Sequence, residues 1–399
     1  MHARDFVVIG GGVIGLRIAT EVKLRFPDSD VTLLEKEERC GLHASGRNSG
    51  VLHAGFYYTA DSFKARFTRD GNRRLSDYCV EHELPVNRCG KLVVARSADE
   101  LDVLDELLHR ARLNGVELES VSVEEARRIE PRARTHVRAL YSPTTATVDP
   151  TQVVAAFAQT ACRVGVEVRT GVAYRGRRDD GIETTAGALR AGYVINAAGL
   201  YADRIARDFG FASAYRILPF KGLYLHGSDE APAFRTNIYP VPDLRTPFLG
   251  VHLTVTVDGG VTIGPTAVPA FWREGYRGLE NFRLAETLEI LRLEGILFLL
   301  NRAGFRDLAL RELPKYLRSV LASRAARLAV GIETRHFKRW GPAGIRAQLV
   351  DLERYELVTD FKLEGDEESF HVLNAVSPAF TCAIPFAEYV LDEISERIK

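Results

Sequence analysis

The sequence predicts an α/β protein: a Rossmann-like, discontinuous cofactor domain with an inserted α+β substrate domain built on an antiparallel sheet. Three observations carry that expectation. A glycine-rich turn (Gly10, Gly12, Gly15) joins the apolar strand Phe6-Val7-Val8-Ile9 to a helix-patterned stretch. A second strand, Val31-Thr32-Leu33-Leu34, closes on the acid Glu35. Far downstream, Tyr193-Val194-Ile195-Asn196-Ala197-Ala198-Gly199 reads as a buried strand ending in small residues, so the first sheet resumes after an insertion.

Each glycine has a distinct task. Gly10 allows the tight turn after the strand, Gly12 lets a pyrophosphate approach the backbone, and Gly15 lets the helix lie close to the sheet. The helix N-terminus adds N–H donors and the positive end of its dipole. Glu35 stands where an acceptor for a ribose hydroxyl is expected. Glycines and acid alone suit either NAD or FAD. The discontinuous layout favours FAD, since NAD dehydrogenases usually keep the dinucleotide domain contiguous whereas flavin oxidoreductases return to it near the C-terminus. The expected boundaries are 1–85, 146–215 and 341–399 for the FAD-binding domain, and 86–145 and 216–340 for the substrate domain.

Composition narrows the class further. A chain of 399 residues is too long for one compact core and suits two domains. Its 53 basic residues balance 53 acidic ones, which removes the electrostatic argument for nucleic acid as a main partner. Five scattered cysteines (Cys40, Cys79, Cys89, Cys162, Cys382) include no CxxC pair, so no disulfide framework and no metal site are expected. That usage suits a reducing, cytoplasmic compartment. The first strand begins near Asp5, so no signal or transit peptide is expected. No apolar run approaches the roughly 20 residues of a membrane-spanning helix.

Along the chain, the first helix covers Val13 to Arg25 and a second runs from about Ser62 to Glu83, with Pro85 ending it. A strand from Lys91 to Ala95 precedes a charged helix from Ala98 to Asn114, stopped by Gly115. Asp149 and Pro150 mark a helix start, and that helix ends at Gly165. The next strand is Val166 to Val172, followed by a polar hairpin. Leu218 to Gly264 alternates and is rich in Pro, Tyr, Val and Thr, which predicts antiparallel strands. Between Phe282 and Arg339 the chain is helical and basic, with Leu310, Leu313, Leu317, Val320 and Leu321 at helical spacing and an apolar run from Ile296 to Leu300. This reads as a core-facing helix with a solvated basic face; the rival reading is peripheral contact with the inner face of a membrane. After Pro342 come strands, including Phe370 to Asn374, and a terminal helix from about Pro378.

At the level of whole segments the chain resembles the D-amino-acid-oxidase-like FAD oxidoreductases, and within them the L-2-hydroxyglutarate dehydrogenase/oxidase family. The resemblance covers nearly the whole length. It is carried by the runs Asn48 to Tyr58, Arg88-Cys89-Gly90-Lys91-Leu92, Ile238 to Pro242, Pro247 to Thr254, Gly341 to Gln348, and His371 to Ala379. Arg47, Leu223 and Phe380 differ from the residues usual in that family. The resemblance implies oxidation of (S)-2-hydroxyglutarate to 2-oxoglutarate, with a small dicarboxylate as substrate and a quinone or oxygen as electron acceptor. It also implies where FAD is held. Beyond Gly10, Gly12, Gly15 and Glu35, the expected contacts are Ser45, Arg47, Asn48, Ser49 and Gly50 in the polar run after the second strand. Val172, Ala197 and Gly199 follow at strand ends, then Gly344, and Pro378, Ala379 and Thr381 at the start of the last helix. Exposed N–H groups there can stabilise charge on reduced flavin.

Flavin oxidation of a 2-hydroxy acid makes three demands. The hydroxyl proton must go to a base, the C2 hydride must reach flavin N5, and the carboxylates must be held so that C2 faces the ring. A base with a pKa near neutrality favours histidine, and a carboxylate is best gripped by arginine. His53 and His252 are the candidate bases; a buried histidine satisfied by backbone is the alternative for each. Arg346 and Lys221 are the candidate carboxylate-binding cations, against a structural salt bridge for Arg346. Tyr57, Tyr58 and Tyr239 can donate hydrogen bonds, while His43 and His371 suit structural roles. Three other readings stay open at this point: an FAD-dependent amine or amino-acid oxidase, a glycerol-3-phosphate dehydrogenase-like enzyme, and a non-catalytic flavin-binding module.

Overall fold

The computed structural model describes residues 5–244 and 248–398; Pro247, which opens one of the segments above, lies outside them. The chain divides into two units. The first comprises the chain up to Arg47, Pro150–Leu218 and the part from Arg346 onward; the second comprises Asn48–Asp149 and Pro219–Ile345. Residues 48–85 and 146–149, expected with the cofactor domain, thus belong to the second unit. The physical reason is pairing: Val51–Leu52 and Val86–Asn87 both form ladders with Ala146–Val148, so the segment is stitched to that side.

The first unit is built on a six-stranded sheet ordered Lys362–Gly365, Ser369–Asn374, Tyr193–Asn196, Phe6–Ile9, Val31–Glu35, Glu167–Thr170. All pairings are parallel except the first, which is antiparallel. The runs FVVI, VTLLE and YVIN are buried throughout, as a parallel sheet covered on both faces requires. The helix Val13–Arg25 buries its sheet-facing side and the terminal helix Ala379–Arg397 lies beside it, where the Arg25 guanidinium pairs with Asp392 at 2.6 Å. Instead of a polar hairpin, Tyr174–Arg178, Gly181–Thr184 and Gly187–Arg190 form a three-stranded meander. Gly181 (φ +150°) and Gly187 (φ +104°) make its two turns, so the run carries one more reversal than its polar composition announced.

The second unit centres on an eight-stranded sheet ordered Arg339–Trp340, Leu225–His226, Val261–Gly264, His252–Val255, Asn237–Pro240, Lys91–Val94, Arg138–Ser142, Glu119–Ser122. It is antiparallel apart from one junction, where Asn237–Pro240 runs parallel to Lys91–Val94. Those two strands come from distant parts of the chain, so no hairpin dictates their direction. The helix Phe63–Glu81 is capped by the Ser62 hydroxyl accepting from the Ala65 N–H at 3.1 Å, and Leu101–Asn114 stops at Gly115 in the left-handed region.

The leucine-rich region departs from the core-facing reading. Pro314 interrupts the chain between helices Phe305–Glu312 and Arg318–Ala326, and Leu310, Leu313 and Leu317 face water while only Leu321 of that set is buried. In the helix Leu284–Leu300 a narrow stripe (Ile290, Leu293, Leu297) faces inward, and Leu284, Leu288, Leu291, Leu299 and Leu300 are exposed. Among the described residues no helix is long and apolar enough to cross a membrane.

Candidate active site

In the first unit the residues expected to hold a dinucleotide gather at the carboxyl edge of the parallel sheet. From Phe6–Ile9 the chain runs one way through Val31–Glu35 and the other through Tyr193–Asn196, so the sheet order reverses there and leaves a crevice at the strand ends. Gly10 turns with φ +117°, and a Cβ on it would lie 2.5 Å from the Ala197 carbonyl oxygen. A Cβ on Gly15 would lie 1.9 Å from the Gly10 carbonyl oxygen, so helix and turn pack too closely for any side chain. Gly12 is the N-cap of the helix with no side-chain cap of its own, and a Cβ there would meet only Ser45, at 2.9 Å from Oγ. The Ser45 hydroxyl instead accepts from the Val13 N–H at 3.0 Å.

Glu35 is buried at the end of its strand, where its carboxylate accepts from the Gly11 N–H at 2.8 Å and from the Glu37 N–H at 2.9 Å. It therefore braces the turn as well as standing at the crevice. The Val172 N–H donates to the Glu35 carbonyl at 3.0 Å, and the Ala197 N–H to that of Ile9 at 2.9 Å, which sets both beside it. Gly199 (φ +53°) opens the short turn that follows. In the same unit Arg47 donates through Nε to the Leu42 carbonyl at 2.5 Å, Pro378 caps the terminal helix, and Ala379 and Thr381 are buried in its first turn. Close-packed glycines, a helix N-terminus opened by a glycine and a strand-end acid fit the pyrophosphate and ribose of a dinucleotide.

Asn48, Ser49, Gly50 and Gly344 belong to the second unit. There the Asn48 side chain accepts from the Gly50 N–H at 2.8 Å, and Gly50 takes φ +68°. The same unit brings His53 and His252 together, both buried. The His252 ring stacks on Tyr239 at 3.7 Å between centroids, and its Nδ1 lies 2.8 Å from the Gly250 carbonyl oxygen. Burial holds the His53 imidazole well below its ordinary pKa, with the positive charges of Lys91 and His252 adding to the effect. Both effects favour the neutral form of the His53 imidazole.

Lys221 is half-buried in this unit and spends its ammonium on the Gly275 carbonyl at 2.6 Å. Arg346 lies on the strand Gly344–Asp351 and is grouped with the first unit. His43 pairs with Glu37 at 2.9 Å, and His371 is clasped by Asn196 and Ser369, each at 3.1 Å; both have the structural surroundings expected of them. Sequence reasoning missed Lys91. It is fully buried beside the two histidines, with Nζ 4.6, 4.7 and 4.9 Å from the ring centroids of Phe56, Tyr57 and Tyr239. The available signal was a lysine opening the otherwise apolar strand Lys-Leu-Val-Val.

Comparison with known proteins agrees with this geometry. The model of the FAD dependent oxidoreductase family matches residues 5–392. The chain is 37% identical over 408 residues to L-2-hydroxyglutarate dehydrogenase of Escherichia coli, covering 98% of this chain and 93% of that one. It is 35% identical over 429 residues to the mitochondrial L-2-hydroxyglutarate dehydrogenase of Homo sapiens, with 99% and 89% covered. Among solved structures, the FAD-bound L-alpha-glycerophosphate oxidase of Mycoplasma pneumoniae shares the fold at a TM-score of 0.75 and 20% identity, with 99% and 95% covered. Glycine oxidase of Geobacillus kaustophilus does so at 0.74 and 20% identity, with 100% and 96% covered. Parallel sheet, glycine turn and full-length similarity converge: the chain belongs to the FAD dependent oxidoreductases and, within them, to the L-2-hydroxyglutarate dehydrogenase family.

Proposed function

We propose that this chain oxidises (S)-2-hydroxyglutarate to 2-oxoglutarate, with electrons leaving for a quinone or oxygen. The observation that carries this reading is the buried pair His53 and His252, in a chain 35–37% identical to L-2-hydroxyglutarate dehydrogenases. Bound FAD supplies a two-electron acceptor. Gly10, Gly12, Gly15, Ser45 and Glu35 would hold its pyrophosphate and ribose, and the N–H groups of the first turn from Pro378 would stabilise charge on the reduced flavin. The substrate loses its hydroxyl proton and a hydride from C2, and the C2–O bond becomes a carbonyl.

One imidazole of the pair takes the hydroxyl proton. It must be neutral to do so, and the burial and neighbouring charge that depress His53 supply that condition at neutral pH. Arg346 is the cation for the carboxylate next to C2, by bidentate hydrogen bonding. Lys221, already bonded to a carbonyl, is a secondary anion contact.

The exposed leucines of Leu284–Leu300, in a region from Phe282 to Arg339 where Lys and Arg outnumber Asp and Glu by about two to one, support peripheral attachment to an anionic membrane surface, where a quinone is reached. Anaerobic mixing with each enantiomer of 2-hydroxyglutarate tests the reaction. Bleaching of oxidised flavin by the S form is expected. Bleaching only by amino acids or glycerol 3-phosphate would reassign the chain to those chemistries.

A further inference from the structure

Lys91 is 0% exposed, on a strand between Asn237–Pro240 and Arg138–Ser142. Among the described residues its ammonium has neither a carboxylate at ion-pair distance nor a hydrogen-bond acceptor, only the faces of three rings. Ring faces offset only part of the cost of burying an ammonium. The Tyr57 hydroxyl, on one of those rings, is likewise buried without an acceptor. Two donors that share one cluster and have nothing to donate to are a costly arrangement for stability alone. They suit an incoming anion.

We propose that Lys91 and the Tyr57 hydroxyl receive the carboxylate at the far end of the substrate, away from the reacting carbon. This rests on the hydroxydicarboxylate reading above and names the part of the site that distinguishes a dicarboxylate from a monocarboxylate. Among the described residues, the titratable groups that the ammonium and its ring cage meet include His53, His252, Tyr57, Tyr239 and Cys89, and no carboxylate pairs with it. Burial lowers Lys91 to about 7, the Cys89 thiol acting slightly the other way. A carboxylate at Nζ favours the charged form, so binding takes up a proton where free Lys91 is largely neutral.

The test compares the wild-type holoenzyme with Lys91→Met and Tyr57→Phe. Two acids are used: (S)-2-hydroxyglutarate, and (S)-2-hydroxypentanoate, which ends in a methyl group instead of the second carboxylate. Lys91→Met is expected to lower kcat/KM for the diacid roughly 10–100-fold, chiefly through KM, and Tyr57→Phe to do so less. Both variants lower kcat/KM for the monoacid less than for the diacid, so the ratio between the two acids falls. Titration of the wild type with glutarate at pH 8 in two buffers of different ionisation heat should show uptake of close to one proton, absent in Lys91→Met. Equal losses on both acids, or no proton uptake by the wild type, would overturn the assignment. A wild type that takes up the proton with glutarate yet oxidises neither acid would fault the reaction assigned above, and leave the carboxylate site supported.

Discussion

The His252 imidazole lies nearly flat on the Tyr239 ring, centroids 3.7 Å apart and planes inclined by 15°. Its Nδ1 is 2.8 Å from the Gly250 carbonyl oxygen. A neutral ring donating Nδ1–H to that carbonyl leaves Nε2 as the basic nitrogen, so neighbours fix both the plane and the tautomer. His252→Ala is therefore expected to slow flavin reduction by about 10²–10⁴-fold while flavin content is retained. Stopped-flow reduction measures it; a loss below tenfold would move the base to His53.

Lys91 makes stability depend on pH in a definite direction. Its folded-state pKa is depressed from the ordinary lysine value to about 7. Between about pH 7 and pH 10.5 the unfolded chain binds the extra proton, so this group's contribution rises as pH rises through that window. At and below pH 7 the burial penalty is nearly fully present. Lys91→Met should lack that rise and be more stable at pH 7, by up to roughly 5 kcal/mol. Denaturant unfolding of both proteins at pH 7 and pH 9 checks the difference. A variant less stable at pH 7 would show that the ring cage compensates the charge.

Flavin retention should follow the turn that Glu35 braces. Glu35→Ala removes the acceptor for the Gly11 N–H, which lies 2.8 Å away. The freed, buried donor and the lost ribose acceptor together predict weakening of FAD binding by about 10–100-fold. Gly15→Ala is harsher, since its Cβ would stand 1.9 Å from the Gly10 carbonyl oxygen. It should yield protein without flavin. The ratio of visible to ultraviolet absorbance after gel filtration measures both.

Peripheral membrane contact predicts co-sedimentation with vesicles rich in anionic lipid and release by salt. Replacing the exposed Leu284, Leu288 and Leu299 with Gln should abolish it without altering flavin reduction. Recovery of the wild type wholly in the supernatant at low salt would contradict it.

The cofactor edge was legible because its signals are local. Gly10, Gly12, Gly15 and Glu35 lie within one βαβ stretch, and each has one steric or hydrogen-bonding task. The resumed strand Tyr193–Asn196 was readable from its unbroken apolar run and pairs with Phe6–Ile9. The cluster around Lys91 was not, because Lys91, Tyr239 and His252 are brought together by strand order, including one parallel pairing that no turn announces, and Phe56 joins them from a turn distant in sequence. The leucines from Leu310 to Leu317 misled for a similar reason: helical spacing was present, but Pro314 breaks the helix that would have given them a common face.

The decisive experiment is anaerobic titration of the purified holoenzyme with separate enantiomers of 2-hydroxyglutarate, followed in the visible flavin bands. Full bleaching by the S enantiomer is expected, with 2-oxoglutarate formed in equal amount to reduced flavin. Flavin that stays oxidised with both enantiomers, and is bleached by an amino acid or glycerol 3-phosphate, would refute the assignment.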